Sequence, residues 1–234
     1  MIHRQYWLVV PAAGIGQRMA ADRPKQYLQI RHRFILDITL SRLLNSGYFT
    51  GAMVALHPDD SWFASSESAH DQRVSTCVGG DERAESVLAG LNALQGSAGD
   101  DDWVLVHDVA RPCLARADLD RLLGELEDDE IGGLLAVPVS DTIKRQQPQN
   151  GRVIETVARA DLWRAQTPQQ FRYGLLRRAL QHAKARGEAI TDEASAVEAA
   201  GYAPKLVPGR ADNLKITVPE DLALAGWILD QLTD

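Results

Sequence analysis

Apolar runs of four to six residues alternate along the chain with segments in which apolar positions recur every three or four residues. Tyr6–Val10, Ala52–Leu56, Arg73–Val78, Trp103–Val106 and Gly132–Val137 read as strands. Helical spacing occupies 35–44 and the stripe Ala84, Val87, Leu88, Leu91 and Leu94. It recurs at Leu175, Leu176, Ala179, Leu180 and Ala183, and again at Leu222, Ala225, Ile228, Leu229 and Leu232. Short strands separated by amphipathic helices predict an α/β chain: a mostly parallel, Rossmann-like sheet with helices on both faces, in a single domain over 1–234. Leu206–Pro208 and Leu214–Ile216 complete the expected strands, and residues 59–72 fit no pattern.

The alternation breaks after residue 138. Extended stretches at Thr142–Arg145 and Val153–Val157 flank Gln149-Asn150-Gly151, and Asn-Gly between such stretches marks a hairpin. An isolated two-stranded arm is marginal in water. Residues 140–159 are therefore expected to pack against a second copy of the chain, giving a homodimer.

Composition adds limits. The 234 residues are 45% hydrophobic and 24% charged, with a net charge of −7. An acidic chain argues against a general nucleic-acid or anionic-membrane surface. No apolar run is long enough for a signal peptide or a span, and Cys77 and Cys113 are too few for a disulfide framework or a zinc site. A cytoplasmic protein is the expectation.

The chemistry concentrates where the first strand ends. Pro11-Ala12-Ala13-Gly14-Ile15-Gly16 is made almost wholly of small residues, so its main chain is open to a ligand, and Arg18 and Lys25 add two positive charges. It is not a P-loop, because no Lys-Ser or Lys-Thr follows the glycines. It is not the dinucleotide fingerprint either, because Met19 stands where a third small residue is needed. A cradle for a triphosphate is the remaining functional reading, against a plain flexible turn.

Asp108 follows the fourth strand, at the edge where α/β sheets gather ligands, and one Asp suits Mg²⁺ carried by phosphates. A local ion pair with Arg111 explains it equally. Asp81 reads as a helix N-cap, Ser86 as an exposed surface residue, and Thr191 as a cap followed by acids that favour the helix N-terminus. Lys215, between apolar neighbours, needs a phosphate or a carboxylate as partner.

Gly14-x-Gly16-x-Arg18-Met19-x(4)-Pro24-Lys25 resembles the nucleotidyltransferase signature, and PAAGIGQRMAADRPKQYL is similar in detail to the 2-C-methyl-D-erythritol 4-phosphate cytidylyltransferases. GGDERAESV, VHDVARP, DTIKR, QTPQQF, TDEASAVE and NLKIT-PEDL follow in that family's order, over nearly the whole chain. Val109 departs, standing where a small residue is usual.

The resemblance implies transfer of CMP from CTP to methylerythritol phosphate with a divalent cation such as Mg²⁺. It assigns Arg18, Lys25 and Lys215 to catalysis, and Ala12, Ala13, Gly14, Gly80, Asp81 and Ser86 to the nucleotide. Asp108, Arg111, Thr142, Arg159, Thr167 and Thr191 go to the acceptor, with Asp108 also meeting the metal, and Thr142 and Arg159 acting across a dimer interface. The competing readings are a ribitol 5-phosphate cytidylyltransferase, a sugar-1-phosphate nucleotidyltransferase, whose chains are usually longer, and a nucleotide-binding regulator without catalysis.

Overall fold

The computed structural model describes residues 4–14 and 23–232. Arg18, with Ile15, Gly16 and Met19, lies outside the described residues. A seven-stranded sheet runs in the order β11-β7-β10-β6-β1-β4-β5. Its members are β1 (Tyr6–Ala12), β4 (Gly51–Leu56), β5 (Val74–Val78), β6 (Trp103–Val106), β7 (Gly132–Pro138), β10 (Trp163–Arg172) and β11 (Lys205–Pro208). All pairings are parallel except those of β10, which runs antiparallel between β6 and β7. A small hairpin of β2 (Gln29–Ile30) and β3 (Arg33–Phe34) precedes α1 (Ile35–Leu44).

Alternation along the strands divides the core. Leu8, Val10 and Leu105 point to the face covered by α1 and α3 (Arg116–Leu126), where Leu36, Leu40, Leu43 and Leu122 pack. Val9, Val104 and Val106 point to the opposite face, covered by α2 (Arg83–Ala93), α4 (Tyr173–Arg186) and α5 (Glu193–Ala199). A third cluster, with Ile35, Ile216 and Ile228, lies under α6 (Glu220–Gln231). Helices thus cover both faces, as the periodicity predicts.

The hairpin arm forms from β8 (Ile143–Gln146) and β9 (Val153–Val157), an antiparallel pair separate from the main sheet. Val153 and Ile154 stay 61% and 59% exposed.

Several local expectations are corrected. Leu214–Ile216 is not a strand; Ile216 donates to the Ala110 carbonyl at 2.8 Å, outside any sheet pairing. Asp81 does not cap α2, which begins at Arg83 after Glu82 and carries no side-chain cap. Asp192, not Thr191, caps α5: its carboxylate accepts from the Ser195 amide, and Ser195 accepts in return, in a reciprocal box. On α6 only Ala225 and Ile228 are fully buried, while Leu222, Leu229 and Leu232 pack at the margin. Residues 59–72 contain two short 3₁₀ turns, 63–65 and 67–70.

Candidate active site

Three strand ends meet at the carboxyl edge of the sheet. β1 delivers Ala12, Ala13 and Gly14, β5 delivers Gly79 to Glu82, and β6 delivers His107 and Asp108. Between them lies a cleft of about 300 Å³, which Lys25, Ser86 and Lys215 also line. The two small-residue loops lie in close contact: a Cβ on Gly79 would sit 2.7 Å from the Ala13 Cβ and 2.8 Å from the Ser86 Oγ.

Ser86 is buried rather than exposed. Its hydroxyl accepts from the Gly80 amide at 3.1 Å and lies 3.2 Å from the Gly80 carbonyl, so it shapes the loop on which it borders. On the opposite wall, Lys25 opens a 3₁₀ turn over Lys25–Tyr27. Buried Gln26 follows it and donates to the Ala12 carbonyl at 2.6 Å, holding that turn against the end of β1.

The cleft floor is Asp108. Its Oδ1 accepts from Arg83 Nε at 3.0 Å, and its Oδ2 lies 2.7 Å from Lys215 Nζ and 3.6 Å from Arg111 Nε. Burial opposes ionisation of Asp108, but the Arg83, Lys215 and Arg111 cations outweigh it and hold the carboxyl well below the usual range. The carboxylate–phosphate choice posed for Lys215 is thus met here by a carboxylate, and the Asp108–Arg111 pair is also present.

Arg83 continues to Glu193, whose two oxygens accept from Nη1 at 2.5 Å and from Nη2 at 3.0 Å. Burial pushes the Glu193 carboxyl up and Arg83 acts in the opposite sense. The fork geometry needs both oxygens as acceptors, which is the ionised form. For Arg83, burial works against the charge, but Glu193 and Asp108 outweigh it and raise its pKa above the ordinary value.

Beneath the floor, the Asp108 amide donates to Thr167 Oγ1 at 3.0 Å, and that hydroxyl meets His107 Nδ1 at 3.1 Å. His107 Nε2 faces the Arg111 carbonyl at 3.0 Å. A carbonyl only accepts, so the proton sits on Nε2, and Nδ1 accepts from Thr167. Burial pushes the His107 imidazole down to about 4, which keeps it neutral. The Thr167–Pro168 peptide is cis.

Of the residues that the sequence singles out, Ala12, Ala13, Gly14, Lys25, Gly80, Asp81, Ser86, Asp108 and Lys215 line one cleft. Arg111 lies beside Asp108, donating to the Asn213 carbonyl at 2.7 Å, and Thr167 lies behind it with its hydroxyl engaged. Thr142 and Arg159 are exposed on the arm, where Arg159 donates to the Ser140 carbonyl, and Thr191 is exposed before α5. Arg83, Glu193, His107 and Gln26 were not anticipated as site residues. GGDER contains Arg83 and TDE contains Glu193, but no spacing rule joins residues so far apart in the chain.

Open small-residue loops, two lysines and an ionised carboxylate at the carboxyl edge of this sheet define a nucleotidyltransferase. Residues 6–231 match the family model for 2-C-methyl-D-erythritol 4-phosphate cytidylyltransferase. The chain belongs to that family. A relative of that name from Ectopseudomonas mendocina is 59% identical, covering 94% of this chain and 93% of its own. One from Pseudomonas aeruginosa strain UCBPP-PA14 is 56% identical, covering 93% of each. The crystal structure of the Francisella tularensis 2-C-methyl-D-erythritol 4-phosphate cytidylyltransferase superposes with a TM-score of 0.82 at 34% identity, over 96% of this chain and 99% of that one. A Thermus thermophilus structure of the same name gives 0.78 at 33% identity, over 97% and 99%.

Proposed function

We infer that this cleft carries the reaction for which the family is named: transfer of CMP from CTP to 2-C-methyl-D-erythritol 4-phosphate. A phosphate oxygen of the acceptor attacks the α-phosphorus of CTP. The new P–O bond forms as the bond to the bridging oxygen breaks, and pyrophosphate carries away the electron pair. No general base is needed, since the attacking phosphate is ionised near neutral pH. Positioning and charge stabilisation are the protein's task.

The observation that carries the reading is the placement of Lys25 and Lys215 on one cleft with the open loops at Ala12–Gly14 and Gly80–Asp81. The loops take the cytidine, with Ser86 holding the Gly80 loop in shape. Lys25, with Arg18, binds the triphosphate and stabilises charge on the leaving group. Lys215 stabilises the α-phosphoryl oxygens. Each such contact in a water-poor site contributes roughly 3–4 kcal/mol. Arg111, Thr167 and Thr191 belong to the acceptor side.

Among the described residues no group of three or more His, Cys, Asp or Glu is gathered to hold a metal. Asp108, on the cleft floor, is kept ionised, which fits Mg²⁺ carried chiefly by phosphate oxygens. Bound in that way, the cation offsets charge on the triphosphate.

The arm's exposed Val153 and Ile154 support a homodimer in which Thr142 and Arg159 serve the partner's acceptor site. Among the described residues no helix is long and apolar enough to cross a membrane.

The test is pyrophosphate release with Mg²⁺ and CTP, comparing methylerythritol 4-phosphate with ribitol 5-phosphate, with ATP, GTP and UTP as controls. Release with CTP and methylerythritol phosphate is expected. Release with ribitol phosphate alone overturns the acceptor, and CTP binding without release under any pairing overturns catalysis.

A further inference from the structure

Arg83 lines the cleft where a triphosphate would lie, and its position alone marks it as a phosphate ligand. Its contacts argue otherwise. All three guanidinium nitrogens are engaged: Nε on Asp108 at 3.0 Å, Nη1 and Nη2 on Glu193 at 2.5 and 3.0 Å. Glu193 is 1% exposed and sits in the first turn of α5, on the far side of Arg83 from the cleft floor. Turning Arg83 toward a phosphate would strand a buried carboxylate without its partner, which is strongly unfavourable.

Lys215 differs in each respect. Its side chain is 39% exposed, and the carboxylate it meets, Asp108, is already held by Arg83. A single ammonium on a flexible stem exchanges partners more readily than a fork fixed by three bonds. Three cations face two carboxylates, so loss of either Arg83 or Lys215 leaves the formal charges balanced. Geometry separates them: departure of Arg83 removes both of its bonds to buried Glu193, whereas departure of Lys215 leaves Asp108 paired with Arg83 and Arg111.

We propose that Glu193 and Arg83 are positioning residues that fix Asp108 from behind, so that Lys215 is the cation that leaves it for the α-phosphoryl oxygens as charge develops on them in the transition state. The pair joins the start of α2, which follows the nucleotide loop, to the start of α5, which follows Thr191. It makes the floor rigid across the two halves of the cleft. This deepens the reading above and rests on it.

The experiment is a double-mutant cycle, Arg83→Gln, Glu193→Gln and both together, on the full chain. CTP affinity is measured by calorimetry with Mg²⁺, and kcat and KM with CTP and methylerythritol 4-phosphate. Arg83→Gln is expected to lower kcat about tenfold or more while the Kd for CTP stays within about twofold. Glu193→Gln should lower kcat similarly in the parent and have no further effect in the Arg83→Gln background, because it acts through Arg83.

A Kd for CTP weakened in proportion to kcat makes Arg83 a phosphate ligand and overturns the proposal. So does an equal loss from Glu193→Gln in both backgrounds. If Glu193→Gln does not fold, Arg83→Gln decides alone through its split between affinity and turnover. A parent chain inactive with this substrate pair fails the functional reading itself, and the proposal falls with it; an active parent with unaffected variants fails the proposal alone.

Discussion

Gln26 and Ala12 are joined by a 2.6 Å hydrogen bond from the buried side-chain amide to the carbonyl at the end of the first strand. The bond sets the distance between the Lys25 turn and the loop Ala12–Gly14. Gln26→Leu removes the donor and keeps the volume. It should cost about 1–3 kcal/mol in urea unfolding and raise KM for CTP more than it lowers kcat. Destabilisation with an unchanged KM would show the bond to be structural only.

Lys25→Ala should separate activity from stability. The side chain lines the cleft near Asp221, whose carboxyl burial pushes up but the Thr217 and Val218 amides, with a smaller contribution from Lys25, bring below its ordinary value. It contributes little to the core. Turnover is expected to fall by about two to three orders of magnitude, with the melting temperature moving by no more than about 2–4 °C. Parallel losses in both would make Lys25 a structural cation.

His107 gives the folded state a pH dependence. Unfolded, its imidazole titrates near about 6.5; folded, burial pushes it down to about 4. Below the first value the unfolded chain takes up a proton that the folded chain does not. Stability from this group is therefore full above about 6.5 and is lost as pH falls toward about 4, by about 3 kcal/mol in all. Denaturant titrations from pH 7 to 4 in EDTA, on the parent and on His107→Gln, test it. The variant should have a shallower slope in that window, and equal slopes would assign the dependence to other groups.

Val153 and Ile154 offer the arm's apolar surface. Replacing both with Glu should weaken self-association by roughly tenfold or more per position. Sedimentation velocity across a concentration series should then show monomer where the parent shows dimer. A variant that remains dimeric places the interface elsewhere.

The sequence made the layers of this protein legible because they rest on short-range pattern. Trp103–Val106 is apolar at every position and forms a strand with those bounds, and the helical spacing at 35–44 forms α1 over that span. What pattern missed depends on polar side chains that bond to main chain or to remote partners. Ser86 lies off the apolar stripe of α2 yet is buried, because the Gly80 loop supplies its hydrogen bonds. The Arg83–Glu193 pair links segments 110 positions apart. Leu214–Ile216 has strand-like alternation without a strand beside it. β10 was missed altogether, because Trp163–Arg172 is largely polar and contains Pro168, yet its Gln166, Thr167, Gln169 and Gln170 are buried in the sheet.

Val139 and Leu162 stand at the base of the arm, the amide of one donating to the carbonyl of the other at 2.9 Å. Everything between them leaves the sheet and returns at a single point, and Trp163 resumes pairing opposite Pro138. The ends of this excursion are held by the sheet, so its length enters stability only weakly. A chain whose hairpin is lengthened, shortened or resurfaced would therefore keep the core and the cleft floor intact.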